Sequence, residues 1–260
     1  MSHTSTATTQ PKIALITGAS RGLGKNMALQ LAQQGVDLIL TYQHNAADAH
    51  AVVAEVAQLG RKAVALQLDV GQSQQFGDFA ARVQQQLQQQ WQRSQFDFLV
   101  NNAGIGIHVP MIETSVEQFD LLMNIHLKGP FFLTQQLLPQ IADGGSILNL
   151  SSGLTRFALP GYGAYAAMKG AVEVLSRYLA LESGARGIRV NTLAPGAIET
   201  DFGGGTVRDN ADINHYIASQ TALGRVGLPD DIGGVVQMLL SEQSGWINGQ
   251  RIEVSGGIHL

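Results

Sequence analysis

The chain has 260 residues, 45% of them hydrophobic and 14% charged, with 30 glycines, no cysteine and a formal net charge of −4. That length carries one large α/β core, the missing cysteines exclude disulfides, thiolate chemistry and cysteine–zinc sites, and the lack of a basic cluster argues against nucleic acid as a partner. No apolar run reaches the roughly 18 residues that cross a bilayer and no ligand cluster for a metal is recognisable, so the expectation is a soluble, cytoplasmic protein with neither membrane nor metal.

The opening "MSHTSTATTQP" is Ser/Thr-rich without an apolar segment and reads as a disordered tail over residues 1–11, leaving 12–260 as a single domain. "KIALIT" reads as a strand and Leu23–Gln34 as a helix stopped by Gly35. "VDLILTY" is a second strand, followed by a helix from about Ala46 to Leu59, and "KAVALQLDV" a third strand. Phe76–Trp91 keeps Val83, Leu87 and Trp91 at four-residue spacing, which favours an amphipathic helix despite its glutamine-rich outer face. "FDFLVNNAG" is a fourth strand with its turn, Ser115–Leu138 a long helix and "GSILNLSSG" a fifth strand. A helix follows over Tyr162–Leu181, then the strand "IRVNTLAPG". The glycine-rich stretch 201–225 has weak periodicity, Pro229–Leu240 is a further helix and "QRIEVSGG" the last strand.

Apolar strands alternating with helices predict a Rossmann-type, doubly wound parallel sheet of about seven strands with helices on both faces. Ligands of such sheets bind beyond the C-terminal strand ends. That rule directs attention to Gly18–Gly24, Asp69, Asn101–Gly104, Ser151–Gly153 and Pro195–Thr200. In "TGASRGLG", between the first strand and its helix, Gly18, Gly22 and Gly24 let the backbone approach a pyrophosphate resting on the helix N-terminus.

In "YGAYAAMKGA", Tyr165 and Lys169 are four residues apart and share a helix face, while Tyr162 lies two turns from Lys169. A free phenol titrates near ~10, too high for proton exchange near neutrality. An ammonium ~4 Å away, at an effective dielectric of ~20, favours phenolate by about 4 kcal/mol, or roughly three pKa units. Lys169 is therefore expected to make Tyr165 a working acid/base. Ser152, at the end of the fifth strand, is placed to donate to a substrate carbonyl beside the Tyr165 hydroxyl, with Ser151 pointing to the other side.

Taken together, "TGASRGLG", Asp69 in "LDV", "NNAG" at Asn101–Gly104, Ser152, Tyr165 with Lys169 and "PGAIET" at Pro195–Thr200 resemble the short-chain dehydrogenase/reductase family from Lys12 to Gly257. The resemblance implies hydride transfer between a nicotinamide and a ketone or secondary alcohol, in the manner of a 3-oxoacyl reductase with no substrate assigned. It implies that Asp69 bonds the adenine amino group, that Asn102 lies against the adenosine ribose and that Lys169 holds the nicotinamide ribose. Pro195 and Gly196 would start a loop over the nicotinamide and Thr200 bond its carboxamide. Ser20, Leu23, Val70, Ala103, Gly104 and Ile198 complete the implied coenzyme contacts.

No acidic residue ends the second strand, "LTYQHN", and Arg21 sits inside the glycine turn, so NADP(H) is expected over NAD(H). Family members usually carry an asparagine in the long helix, holding a water that links the lysine to solvent. Here "MNIHLKGPFF" puts His126 at that position, with Asn124 as the alternative register, and a histidine would make proton return pH-sensitive. Residues 201–225 are expected to form a mobile lid hinged at Gly203–Gly205, with Phe202, Tyr216 and Ile217 offering apolar contacts to an uncharged carbonyl or alcohol substrate. The resemblance further implies a homotetramer paired through the long helix and the Tyr165 helix, where Ala164, Ala167 and Ala171 permit close approach, with "SGGIHL" reaching a neighbouring subunit. The competing reading is a non-catalytic NADP(H)-binding regulator on the same fold.

Overall fold

The structure is a computed structural model that describes residues 10–260. The expected tail therefore lies outside the described residues apart from its last two, and Pro11 already offers its carbonyl oxygen to Arg93 Nη1 at 3.2 Å.

Seven short strands form one sheet: β1 Ile13–Ile16, β2 Asp37–Tyr42, β3 Ala63–Gln67, β4 Phe96–Asn101, β5 Ile141–Leu150, β6 Arg189–Pro195 and β7 Arg251–Val254. Their order is β3-β2-β1-β4-β5-β6-β7 and every neighbouring pair is parallel. The strands are nearly continuous apolar runs because helices cover both faces. On one face Met27 and Leu31 of α1 (Gly22–Gln33) pack with Val52 of α2 (Ala46–Gln58) and with Ile232 and Val236 of a helix near the chain's end, Pro229–Leu240. On the other, Phe76, Phe79 and Val83 of α3 (Phe76–Gln86) meet Leu133 and Leu137 from the second half of the long helix. Strand order reverses where β1 lies between β2 and β4, which opens a crevice at the C-terminal edge.

The long helix expected over Ser115–Leu138 is interrupted. It runs as α4 (Val116–Met123), a π-helical turn (Asn124–Lys128) and α5 (Gly129–Leu137), opened by a capping box between Ser115 and Gln118. The π turn changes the phase between the two halves and carries His126. β5 begins at Ile141, earlier than the run at Gly145 indicated, and a register irregularity opposite Phe96–Phe98 absorbs the extra residues.

The helix α6 (Gly163–Glu182) carries Tyr165 and Lys169. Residues 201–225, read as a weakly periodic lid, contain two short helices, α7 (Thr206–Asp209) and α8 (Ala211–Ser219), before α9 (Pro229–Leu240). Asn210 caps α8 through its side-chain oxygen, and Gly203, Gly204 and Gly205 all hold positive φ, at 61°, 76° and 77°. Three consecutive left-handed residues are open to glycine and little else.

Candidate active site

The glycine turn is built for close approach. Gly18 and Gly22 hold positive φ, at 64° and 56°, and a Cβ on Gly24 would collide with the Gly18 carbonyl oxygen and the Asn102 amide. Asn102 ties this turn to β4: its Nδ2 donates to the carbonyls of Thr17 (2.8 Å) and Gly18 (3.0 Å), while the N–H groups of Asn102 and Ala103 donate to Thr17 Oγ1. Beside this turn α1 starts with no side-chain cap and no acidic residue in its first turn. Its free N–H groups and positive dipole end fit a pyrophosphate. The backbone cradle and the uncapped helix thus match a dinucleotide.

All the residues singled out in the sequence for coenzyme binding or chemistry line one cavity of about 610 Å³. They run from Gly18, Ser20, Arg21, Gly22, Leu23 and Gly24, through Asp69, Val70, Asn102, Ala103, Gly104 and His126, to Ser152, Tyr165, Lys169, Pro195, Gly196, Ile198 and Thr200. The alternative relay residue, Asn124, is not in the wall, and neither is Tyr216, which is 59% exposed; the apolar contribution of the 201–225 stretch comes from Phe202, Val207 and Ile217. The sequence reading missed the segment from Tyr42 to Asn45, which lines the end of β2, and the apolar side chains Leu154, Phe157, Leu159 and Ile258. The strand-end rule applied to β2 finds the first group; the second comes from loops without a periodic signal.

At the adenosine end the charges are mixed. The Arg21 side chain is 71% exposed, with Nη1 4.0 Å from Asp201 Oδ2. Asp48 also faces the cavity, close to the N-terminus of α2, with Oδ2 taking a 2.6 Å hydrogen bond from Asn45 Nδ2. Asp69 uses Oδ1 to accept from Gly71 N–H at 2.8 Å, which fixes the turn after β3.

At the chemical end Tyr165 and Lys169 are both buried. Lys169 Nζ donates to the Leu150 carbonyl at 2.7 Å and lies 5.7 Å from the centroid of the Tyr165 ring. Burial lowers the Lys169 pKa to about 8 and raises that of Tyr165 above its ordinary value, the Ser152 hydroxyl pulling it partly back and Tyr162 pushing it further up. The expectation that Lys169 depresses the phenol does not hold here: desolvation is the leading cause, and the ammonium, turned toward the Leu150 carbonyl, is not among the groups lowering it. Ser152 Oγ accepts from Leu154 N–H at 3.2 Å, as the cap of a short 3-10 turn.

His126 is buried, its ring T-shaped to Tyr165. Its Nε2 lies 2.8 Å from the Ile105 carbonyl oxygen and 3.3 Å from the Ile105 backbone nitrogen, while Nδ1 is buried without a hydrogen-bond partner among the described residues. Burial, then Lys169, holds its pKa well below 6.5. The imidazole is neutral at physiological pH, against the expectation of a group titrating near neutrality. Gly104 makes room for it: a Cβ there would stand 2.7 Å from Cε1.

Ser151 is buried and donates to Glu173 Oε1 at 2.6 Å. Glu173 also accepts from Thr155 (2.7 Å) and Arg251 (2.8 Å), and Arg251 reaches the Ser152 carbonyl at 3.3 Å. Arg156 forks onto Glu253 through Nε (2.8 Å) and Nη2 (2.7 Å), and donates to the carbonyls of Ile258 and His259. Arg156 is the main cause holding the Glu253 carboxyl down at about 2. The carbonyls of Ile258 and His259 thus tie the end of the chain to Arg156.

Among the described residues no helix is long and apolar enough to cross a membrane.

Residues 18–259 match a family model described as Enoyl-(Acyl carrier protein) reductase. A tetrahydroxynaphthalene reductase from Pestalotiopsis fici, PfmaG, is 38% identical over 257 residues, covering 95% of this chain and 91% of that protein. Among solved structures, the reductase LugOII, described as promiscuous and as catalysing keto-reduction at C1 during lugdunomycin biosynthesis, superposes with a TM-score of 0.91 at 35% identity, covering 96% of this chain and 98% of its own. The angucycline C-6 ketoreductase LanV with bound NADP superposes with a TM-score of 0.90 at 33% identity over 95% of both chains. LanV has also been solved with NADP and rabelomycin together.

Proposed function

The chain belongs to the short-chain dehydrogenase/reductase family and is an oxidoreductase of its NADP-type reductases; from that premise we propose that it reduces a ketone on a fused-ring phenolic compound to the secondary alcohol, using NADPH in preference to NADH. The carrying observation is a buried Tyr165 in the wall of a cavity that also presents the apolar side chains Leu154, Phe157, Leu159 and Ile258. The cavity wall contains two ammonium or guanidinium groups, Arg21 at the adenosine end and Lys169 beneath Tyr165, so its outer half offers no cation to a phosphate or carboxylate. A flat, uncharged ring system suits that lining, and the named relatives support this class.

When bound, the reduced nicotinamide supplies the hydride. The hydroxyls of Ser152 and Tyr165 donate to the substrate carbonyl oxygen, and as the carbon gains hydride that oxygen takes the Tyr165 proton, leaving phenolate. Lys169 holds the ribose, and its charge offsets the phenolate once the proton has left. His126 Nδ1 accepts from a water that links Lys169 to solvent and returns the proton. Arg21 carries the preference for a 2′-phosphate.

Residues 12–260 act as one domain, working in the cytoplasm as a homotetramer. α6 presents Ala167, Val174, Tyr178 and Leu181 outward, and α5 presents Phe131 and Phe132, stripes suited to pairing.

The test is NADPH consumption against fused-ring ketones, 3-oxoacyl thioesters and sugars, with Tyr165→Phe beside the wild type. Preferential turnover of the fused-ring ketones, reduced about 10²–10⁴-fold in Tyr165→Phe with NADPH binding retained, is the expected result. Equal turnover by Tyr165→Phe overturns the mechanism, and preference for thioesters or sugars overturns the substrate class.

A further inference from the structure

Besides Tyr42 at the end of β2, two tyrosines of one helix line the cavity, Tyr165 and Tyr162. Tyr162 lines it three residues before Tyr165, at the N-terminal boundary of α6, and residues at that spacing are neighbours on a helix surface. Tyr162 is close enough for its own oxygen to raise the Tyr165 pKa. It belongs to the same packed cluster as Tyr165, with Ile105, Ile107 and Leu154 around it.

Its ring is held in place. Tyr162 stacks on His108 with centroids 4.9 Å apart and planes tilted by 53°. The His108 ring is fixed in turn by a 3.1 Å hydrogen bond to the Pro160 carbonyl, and it seats against Gly161, where φ is 85° and a side chain would collide with the imidazole. Val109 N–H closes the arrangement on the Gly161 carbonyl at 2.9 Å. Among the described residues, however, Tyr162 makes its hydrogen bonds through the backbone, to Leu159 and from Ala166. Its hydroxyl has no hydrogen-bond partner among the described residues, and the residue lines the cavity. A ring backed by an imidazole that is itself held costs little ordering when a ligand binds its hydroxyl.

We propose that Tyr162 is a specificity-determining residue: its hydroxyl hydrogen-bonds a second oxygen on the substrate while Tyr165 and Ser152 hold the reacting carbonyl. The inference rests on the proposed reduction of a fused-ring ketone and narrows it. The preferred substrate is an oxygenated ketone, carrying a hydroxyl or second carbonyl on the ring positions near the reacting one, rather than a plain aromatic ketone. Without that oxygen Tyr162 loses its partner on leaving water, and the plain ketone is disfavoured.

The experiment uses the full chain with NADPH and three ketones: 1-tetralone, 3-hydroxy-1-tetralone and 8-hydroxy-1-tetralone. The wild type is expected to favour at least one hydroxylated ketone over 1-tetralone by about tenfold in kcat/KM, carried mainly by KM. Tyr162→Phe, which keeps the ring on His108, is expected to collapse that ratio toward one. The ratio within each protein cancels any general loss of activity, which a merely structural role would spread over all three ketones. A ratio that survives Tyr162→Phe, or a wild type with no preference, overturns the assignment while leaving ketone reduction intact. No turnover of any tetralone, with NADPH still bound, overturns both. If Tyr162→Phe does not fold, the same ratio is read in Tyr162→Leu, and a ratio that survives there overturns the assignment.

Discussion

His126 and Tyr165 stand T-shaped, ring centroids 5.1 Å apart and planes at 86°. The imidazole thus backs the phenol, and its Nε2 is spent on the Ile105 carbonyl. Because burial depresses its pKa, the unfolded chain binds a proton below about pH 6.5 that the folded chain refuses. Stability conferred by a neutral His126 is full above that pH and falls as the pH drops toward the folded pKa. In His126→Asn this part of the acid loss disappears, so the variant gains on the wild type below about pH 6.5, and turnover drops less than in Tyr165→Phe. Urea midpoints across that range check the first outcome; parallel pH curves for the two proteins would mean that His126 is not held neutral.

Lys169 works against the fold. Its pKa falls from 10.5 to about 8, so keeping it charged at neutral pH costs about 3 kcal/mol. The folded state releases its proton near pH 8 and the unfolded state near 10.5; the cost is full below 8 and is relieved as pH rises between the two values. Lys169→Met is expected to melt higher than the wild type at neutral pH, with an advantage that shrinks toward pH 10, and to lose reductase activity. Thermal unfolding against pH shows it. A lower melting point at pH 7 would mean that the bond to the Leu150 carbonyl outweighs desolvation.

Arg21 is exposed and only loosely engaged by Asp201 at 4.0 Å. Removing it should hardly touch stability but should cost a charge-assisted contact to a 2′-phosphate, worth ~1.5–3 kcal/mol. Arg21→Ala is expected to weaken NADPH binding roughly tenfold to a hundredfold and leave NADH binding nearly as it was. Titration of both coenzymes decides it, and equal weakening of the two would place the preference elsewhere.

Arg251 holds the turn of Ser152 from behind, bridging Glu173 (2.8 Å) and Glu253 (2.9 Å) while donating to the Ser152 carbonyl. Arg251→Lys keeps the charge but not the fork. Displacing Ser152 by a fraction of an ångström is expected to lower kcat by about tenfold, with NADPH affinity little changed. A fall in coenzyme affinity with kcat intact would assign Arg251 to packing alone.

The sheet was legible because parallel strands covered on both sides read as unbroken apolar runs, and its C-terminal edge told where to look. Gly18, Asp69, Ser152 and Tyr165 all lie within reach of that edge, so one topological rule gathered a cavity drawn from distant parts of the chain. What escaped had local or electrostatic causes. The π turn at Asn124–Lys128 adds a phase change that an α-helical periodicity cannot express. The short helices in 201–225 hide behind three glycines and depend on Asn210 for a start signal. The pKa of Tyr165 could not be read from its spacing to Lys169, because i,i+4 proximity says nothing of how much water the fold removes or where an ammonium turns.

One helix, α6, turns Tyr165 and Lys169 inward and Val174, Tyr178 and Leu181 outward. Whatever covers the outer surface leans on the same rigid rod that aims the phenol. Substitutions on the far side of that rod can retune the reaction by small tilts, without ever meeting the molecule being reduced.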